Sequence, residues 1–150
     1  MKKFQFSLET VLDYKQQVLT SLQTEHGTLL LQVKNQEDYV ASLEEEYRRL
    51  DEDFTARKLE GMTISDALAF EQCLRAMEGQ IQREVEKLVR LRHQEEEKRA
   101  QVVEAKRETS SIEKLRERKL DSYNKAVQKS EEAMIDELVS TKRVMAAQSA

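Results

Sequence analysis

An apolar stripe keeps a three-four beat through the first fifty residues of this chain, and no proline interrupts it. It runs through Phe4, Leu8, Val11, Lys15, Val18, Leu22, His26, Leu29, Val33, Gln36, Val40, Leu43, Tyr47, Leu50 and Phe54, and twelve of these fifteen positions are apolar. The residues between them are mostly charged or amide. Alternating steps of three and four hold one narrow face of an α-helix toward a partner helix. The stripe therefore predicts a long helix that needs a second helix to cover it.

Composition agrees. Ala, Glu, Lys, Leu and Arg supply 76 of the 150 residues, the mark of coiled coils and long helices. Charged residues are 36% and aromatics 5%, enough for a thin seam but not for a thick core. Burying a large side chain gains roughly 1.5–3 kcal/mol gross. Ordering each backbone residue costs roughly 1–2 kcal/mol. One stripe alone loses that contest, so a partner helix is required.

The first helix is expected over about 7–55. Its beat slips once, because Val18 to Leu29 spans eleven residues with Leu22 and His26 between them. Four extra residues in a heptad frame make a stutter. Gly27 lies inside it, at a cost of roughly 1 kcal/mol relative to alanine. A connection is expected over about 56–65, with Gly61 as a helix stop and Ser65 as the next N-cap. The second helix is expected over about 66–145, roughly 120 Å long at 1.5 Å per residue. Its seam opens with Phe70, Leu74, Met77, Ile81, Val85, Leu88 and Leu91. It fades over residues 92–101, RHQEEEKRAQ, and resumes weakly at Val102, Ala105, Ile112 and Leu115.

A short connection makes the helices antiparallel neighbours. Folding about residue 60 sets Leu50 against Phe70 and Leu8 against Ile112. The polar stretch 92–101 then meets the stutter. The expected fold class is all-α: one coiled-coil domain over 1–150, two long helices in an antiparallel coiled-coil hairpin, the second longer with a C-terminal overhang. On this register residues 117–145 have no partner within the chain. They still carry Leu120, Tyr123, Val127, Met134 and Leu138, at spacings of three, four, seven and four. An amphipathic helix without an internal partner points to an external one.

Catalytic and ligand chemistry is not encoded in any pattern here. There is no phosphate-cradling glycine loop and no HExxH. His26 and His93 are isolated, so no metal is expected, and no cofactor. Cys73 has no base placed beside it and stands alone, without a disulfide partner. The net charge of −4 and the dilution of Lys and Arg by Glu argue against nucleic acid as a partner. Pairs such as Glu44–Arg48, Glu45–Arg49, Glu71–Arg75 and Glu95–Arg99 have helix-supporting spacing. Apolar runs stop at four residues, so neither a signal peptide nor a membrane span is expected. An enzyme is not expected.

The opening Phe4-Gln5-Phe6-Ser7-Leu8-Glu9-Thr10-Val11-Leu12 resembles the F-x-F-x-L-E-x-V-L start of the flagellar export protein FliJ. Lys114-Leu115-Arg116-Glu117-Arg118, Tyr123, Glu131-Glu132 and Asp136-Glu137 resemble the family's ending. Gly61 in a short connection, followed by Phe70, Leu74 and Ile81, is similar to its middle. The resemblance implies a two-helix antiparallel coiled coil of the flagellar type III export apparatus, non-enzymatic and similar to the central stalk of rotary ATPases. It implies binding to the hexameric export ATPase and to the cytoplasmic domain of the export-gate membrane protein, with a link to export chaperones. It implies a cytoplasmic location, peripheral to the inner face of the cell membrane at the flagellar base. By the stalk analogy the end carrying both termini enters the ATPase ring, which makes Leu120, Tyr123, Val127, Met134 and Leu138 the ATPase-binding arm. The hairpin end would face the gate, which makes Cys73, Met77, Gln80 and Glu84 a gate-binding patch. In that patch Met77 is expected in the seam and the other three more exposed. The alternative is a generic structural coiled coil that homodimerises through its C-terminal helix.

Overall fold

The computed structural model describes residues 2–149. Two helices, α1 (Glu9–Glu60, 52 residues) and α2 (Ile64–Gln148, 85 residues), pack against each other as an all-α hairpin. Both run further toward the turn than the apolar beat suggested. The beat stops at Phe54, but Thr55–Glu60 contains no helix breaker, and α1 continues until Gly61. That glycine has φ 100°, a left-handed conformation that costs it no side-chain clash. Its N–H donates to the Arg57 carbonyl at 3.0 Å, a left-handed helix cap. Thr63, not Ser65, caps α2, because its Oγ1 accepts the Asp66 N–H at 3.1 Å. Ser65 already lies inside the helix. The connection is thus three residues, 61–63, and the fold-back centres on Met62. At the turn end Phe70 stacks on Phe54, not Leu50, with ring centroids 5.1 Å apart, one helical turn from the expected pair, whereas Gln36–Glu84 and His26–Glu95 further along keep the expected register.

Contacts sort the chain into two compact units, Thr20–Val103 and Met1–Leu19 with Glu104–Ala150. In the first, Gln36, Val40, Leu43 and Phe54 of α1 are buried with Leu74, Leu88 and Glu95 of α2. Lys58 Nζ sits 3.7 Å from the Phe54 ring centroid and closes the turn end of the seam. Gln36 is buried but satisfied: its Nε2 donates to the Glu84 carbonyl at 3.0 Å and to Glu84 Oε2 at 2.6 Å. Glu84, rather than Val85, therefore takes the inward position after Ile81, and Val85 is exposed. Exposed ion pairs Arg92–Glu37 and Lys98–Glu25 bridge the helices at 3.0 and 2.8 Å. Such pairs contribute little stability each but oppose other registers.

In the second unit residues 2–8, before α1, are not helical, and this changes which side chains face inward. Phe6 is buried, and Leu12 is 4% exposed while Val11 is 40% exposed. The helix starts at Glu9, so a beat counted from Phe4 does not carry into it. Counted from Leu12, inward positions recur every seven residues through Leu19, His26 and Val33, and from Lys15 through Leu22 and Leu29. Both Val18 and Leu19 are half-buried. The expected stutter is therefore absent, being the product of reading Val11 as inward. Thr109 of α2 is buried here, its Oγ1 donating to the Ala105 carbonyl at 2.7 Å. Lys15–Glu108 and Arg116–Glu9 bridge the helices at 2.7 and 2.9 Å.

Gly27 is exposed on the outer side of α1, and a Cβ added there meets nothing within 4 Å. Gly27→Ala should therefore raise stability by about 0.5–1 kcal/mol. Chemical denaturation checks this, and an unchanged or lowered midpoint would contradict it. Among the described residues no helix is long and apolar enough to cross a membrane.

Candidate functional site

The inward face of α2 in the unit holding both chain ends runs through Leu120, Tyr123, Val127, Met134 and Leu138. These five fall into two groups. Leu120, Tyr123 and Val127 are half-buried, whereas Met134 and Leu138 are 62% and 63% exposed. The reason is the extended segment before α1. The Tyr123 hydroxyl donates to the Lys2 carbonyl at 2.6 Å, and the Phe4 and Tyr123 rings lie 5.5 Å apart. The Arg116 guanidinium, paired with Glu9, also sits 5.7 Å from the Phe4 centroid. The expectation that everything after residue 116 lacks an internal partner is thus corrected. The partner is not α1 but the non-helical N-terminal segment, which a helix-to-helix register cannot place.

From Gln128 to Ser149 every described residue is exposed. Besides Met134 and Leu138, this stretch presents Ile135, Val139 and Met145, which the sequence reading missed. Their signal was available. Ile135–Val139 and Leu138–Met145 sit at spacings of four and seven beside the line followed. Following one line of the seam gave a stripe, and the structure shows a broader face.

The second set of expected site residues lies on α2 in the other unit. Cys73 is exposed and Met77 half-buried, as expected. Gln80 and Glu84 are not open flank residues. Both are half-buried, and Gln80 Nε2 donates to the Tyr39 hydroxyl at 3.0 Å while Glu84 accepts from Gln36. They tie α2 to α1, because the observed register brings amide and hydroxyl partners opposite them. At the turn, Leu59 is 86% and Ile64 82% exposed. Both fall within the expected connection, 56–65, but belong to the ends of α1 and α2.

The stretch 92–101, almost without apolar residues, fills its part of the seam with charge. Glu95 is 6% exposed, with Oε1 2.8 Å from His26 Nε2 and 2.6 Å from Arg99 Nη2. The bond to His26, then those to Arg99, hold the Glu95 carboxyl below its ordinary value of 4.5 against the opposing effect of burial. A carboxylate whose folded value is depressed stabilises fully above its unfolded value. That stabilisation disappears as pH falls through the folded value. Wild type should therefore lose more melting temperature than Glu95→Gln when pH drops below 4.5. Parallel melting curves for the two proteins would contradict this. Elsewhere the Glu78 carboxylate accepts from the Tyr47 hydroxyl at 2.6 Å and pushes that phenol up. Arg48 pairs with Glu45 rather than with Glu44 and holds Glu45 down.

Among the described residues, no three or more of His, Cys, Asp and Glu stand together where they could hold a metal ion. Among the described residues His93 pairs along its own helix, with Glu97 at 3.0 Å. What the geometry offers is exposed apolar surface: one face near the end of α2, and Leu59 and Ile64 at the turn. No curated protein and no solved structure matches the chain. The family model of the flagellar FliJ protein matches residues 4–148. That span takes in the N-terminal segment, both helices and the turn, so the chain belongs to the FliJ family, whose members are components of the flagellar protein export apparatus.

Proposed function

We propose that this protein is a non-catalytic, stalk-like coupling subunit of flagellar export. The end of α2 docks in the hexameric export ATPase, and the turn end of the hairpin contacts the cytoplasmic domain of the export-gate membrane protein. A chaperone-escort role and a cytoplasmic position at the flagellar base belong to the same reading. The observation that carries it is the exposure of Met134, Ile135, Leu138, Val139 and Met145 on one side of a helix whose earlier inward face is covered. Burying such side chains against a partner gains roughly 1.5–3 kcal/mol gross each. Lost rigid-body and side-chain freedom offsets part of this. The mechanism is mechanical: an asymmetric hairpin in a six-fold ring favours some subunit conformations over others and so biases ring assembly and ATP turnover. Of the earlier gate patch, Cys73 and Met77 stay in the proposal as contact residues. Gln80 and Glu84 act there by holding α2 on α1. Adding the protein to its cognate ATPase should change both hexamer assembly and ATP hydrolysis, and no change in either would refute the mechanism.

The same exposed face favours one other reading, self-association through the C-terminal part of α2. Sedimentation at micromolar concentration separates the two, since a fully helical monomer excludes the dimer.

A further inference from the structure

Along the outer side of α2, opposite the residues that pack inward, positions 107, 111, 114, 118, 121, 125 and 129 form one line. Five of the seven are basic: Arg107, Lys114, Arg118, Lys125 and Lys129. All five are exposed. Arg107 pairs with Glu104 and Lys125 with Asp121. Lys114, Arg118 and Lys129 have no acidic partner among the described residues. The line spans roughly 33 Å at helical rise. It is bounded on the same side by Glu104 before it and by Glu132 and Asp136 after it. A chain of net charge −4 therefore carries a discrete positive stripe. Linear composition conceals it, because Glu108, Glu113 and Glu117 alternate with the basic residues in sequence but lie on other sides of the helix.

We infer that this stripe docks on an acidic protein surface, a carboxylate-lined concave wall of the partner that receives the end of α2. The inference rests on the ATPase reading and adds the chemistry of the partner's surface. Two features select a protein over a lipid surface or a nucleic acid. The stripe carries no apolar residue that would enter a bilayer. It also leads within five residues to the exposed face of Met134 and Leu138, on the other side of the same helix. A flat anionic surface engages one side of a helix, whereas a socket engages both. Like-charge exclusion and unpaired lysines favour an acidic wall over a neutral one.

The test is the affinity of the full chain for the export ATPase across a salt series, for wild type and for Lys114→Glu, Arg118→Glu and Lys129→Glu combined. These are exposed helix positions without ion pairs, so circular dichroism should show unchanged helicity. Wild-type affinity should fall steadily with salt. The variant should bind at least about tenfold more weakly at low salt and lose most of that salt dependence. Wild-type binding that ignores salt, with equal binding by the variant, would overturn the inference and leave the ATPase reading standing. No wild-type binding at all would overturn both. Unchanged ATPase affinity in the variant, with loss instead of binding to a DNA duplex or to phosphatidylserine vesicles, would also overturn the inference.

Discussion

Deleting residues 130–150 should leave the hairpin folded and abolish its binding to the export ATPase. Every described side chain in that stretch is exposed, and its hydrogen bonds are local, such as Thr141 Oγ1 to the Glu137 carbonyl at 2.9 Å. Of the side-chain bonds that cross its boundary, the deletion removes the exposed one from Gln128 Nε2 to Glu132 Oε1. The helical signal should fall only by the missing residues, and the melting temperature should shift little. Affinity for the ATPase should fall by about a hundredfold or more, since a few anchor side chains carry most of a docking energy. Calorimetric titration against the ATPase measures this, and wild-type affinity in the deletion would remove the end of α2 from the docking element. A cut after Arg116 is a different experiment. It removes Tyr123 from beneath Phe4 and Lys2, so its melting temperature should drop as well.

Leu43→Ala and Leu138→Ala should separate folding from docking. Leu43 is 6% exposed in the seam and Leu138 is 63% exposed. The first should cost about 2–5 kcal/mol, the lost transfer energy plus the cavity left between two helices. In a chain whose core is a single seam, that threatens the fold. The second should change stability by no more than about 0.5 kcal/mol and should weaken ATPase binding instead. Equal stability losses in the two variants would mean that the end of α2 is packed within the chain after all.

Most of this architecture was legible in the residues. The heptad pattern carried the two helices, the turn at Gly61 and the antiparallel pairing, because side-chain periodicity and a single glycine at positive φ are local signals. The errors arose where the signal was not local. Register depends on where the fold-back centres. Thr55–Glu60 has no apolar beat yet stays helical, so near the turn Phe70 meets Phe54 and not Leu50, while pairs further along such as Gln36–Glu84 and His26–Glu95 fall in the expected register. A frame counted from Phe4, outside the helix, points Val11 inward, whereas the helix itself buries Leu12. The seam over 92–101 has almost no apolar side chain, and its inward positions are taken by charged ones. Glu95 fills one of them by bonding to His26 and Arg99, and Lys98 another by pairing with Glu25. The partner of Tyr123 was invisible to helix-pairing arguments because it is an extended segment. The basic stripe was hidden by averaging charge along the chain instead of around the helix.

What covers the exposed face of α2 can be asked most directly by photo-crosslinking. A photoreactive side chain at Leu138, in the full-length protein within assembled export complexes, should link to the ATPase. The same group at Val89, exposed in the other unit, should not. Linkage from Leu138 only to a second copy of the chain, or equal ATPase linkage from both positions, would contradict the docking of this helix in the ATPase.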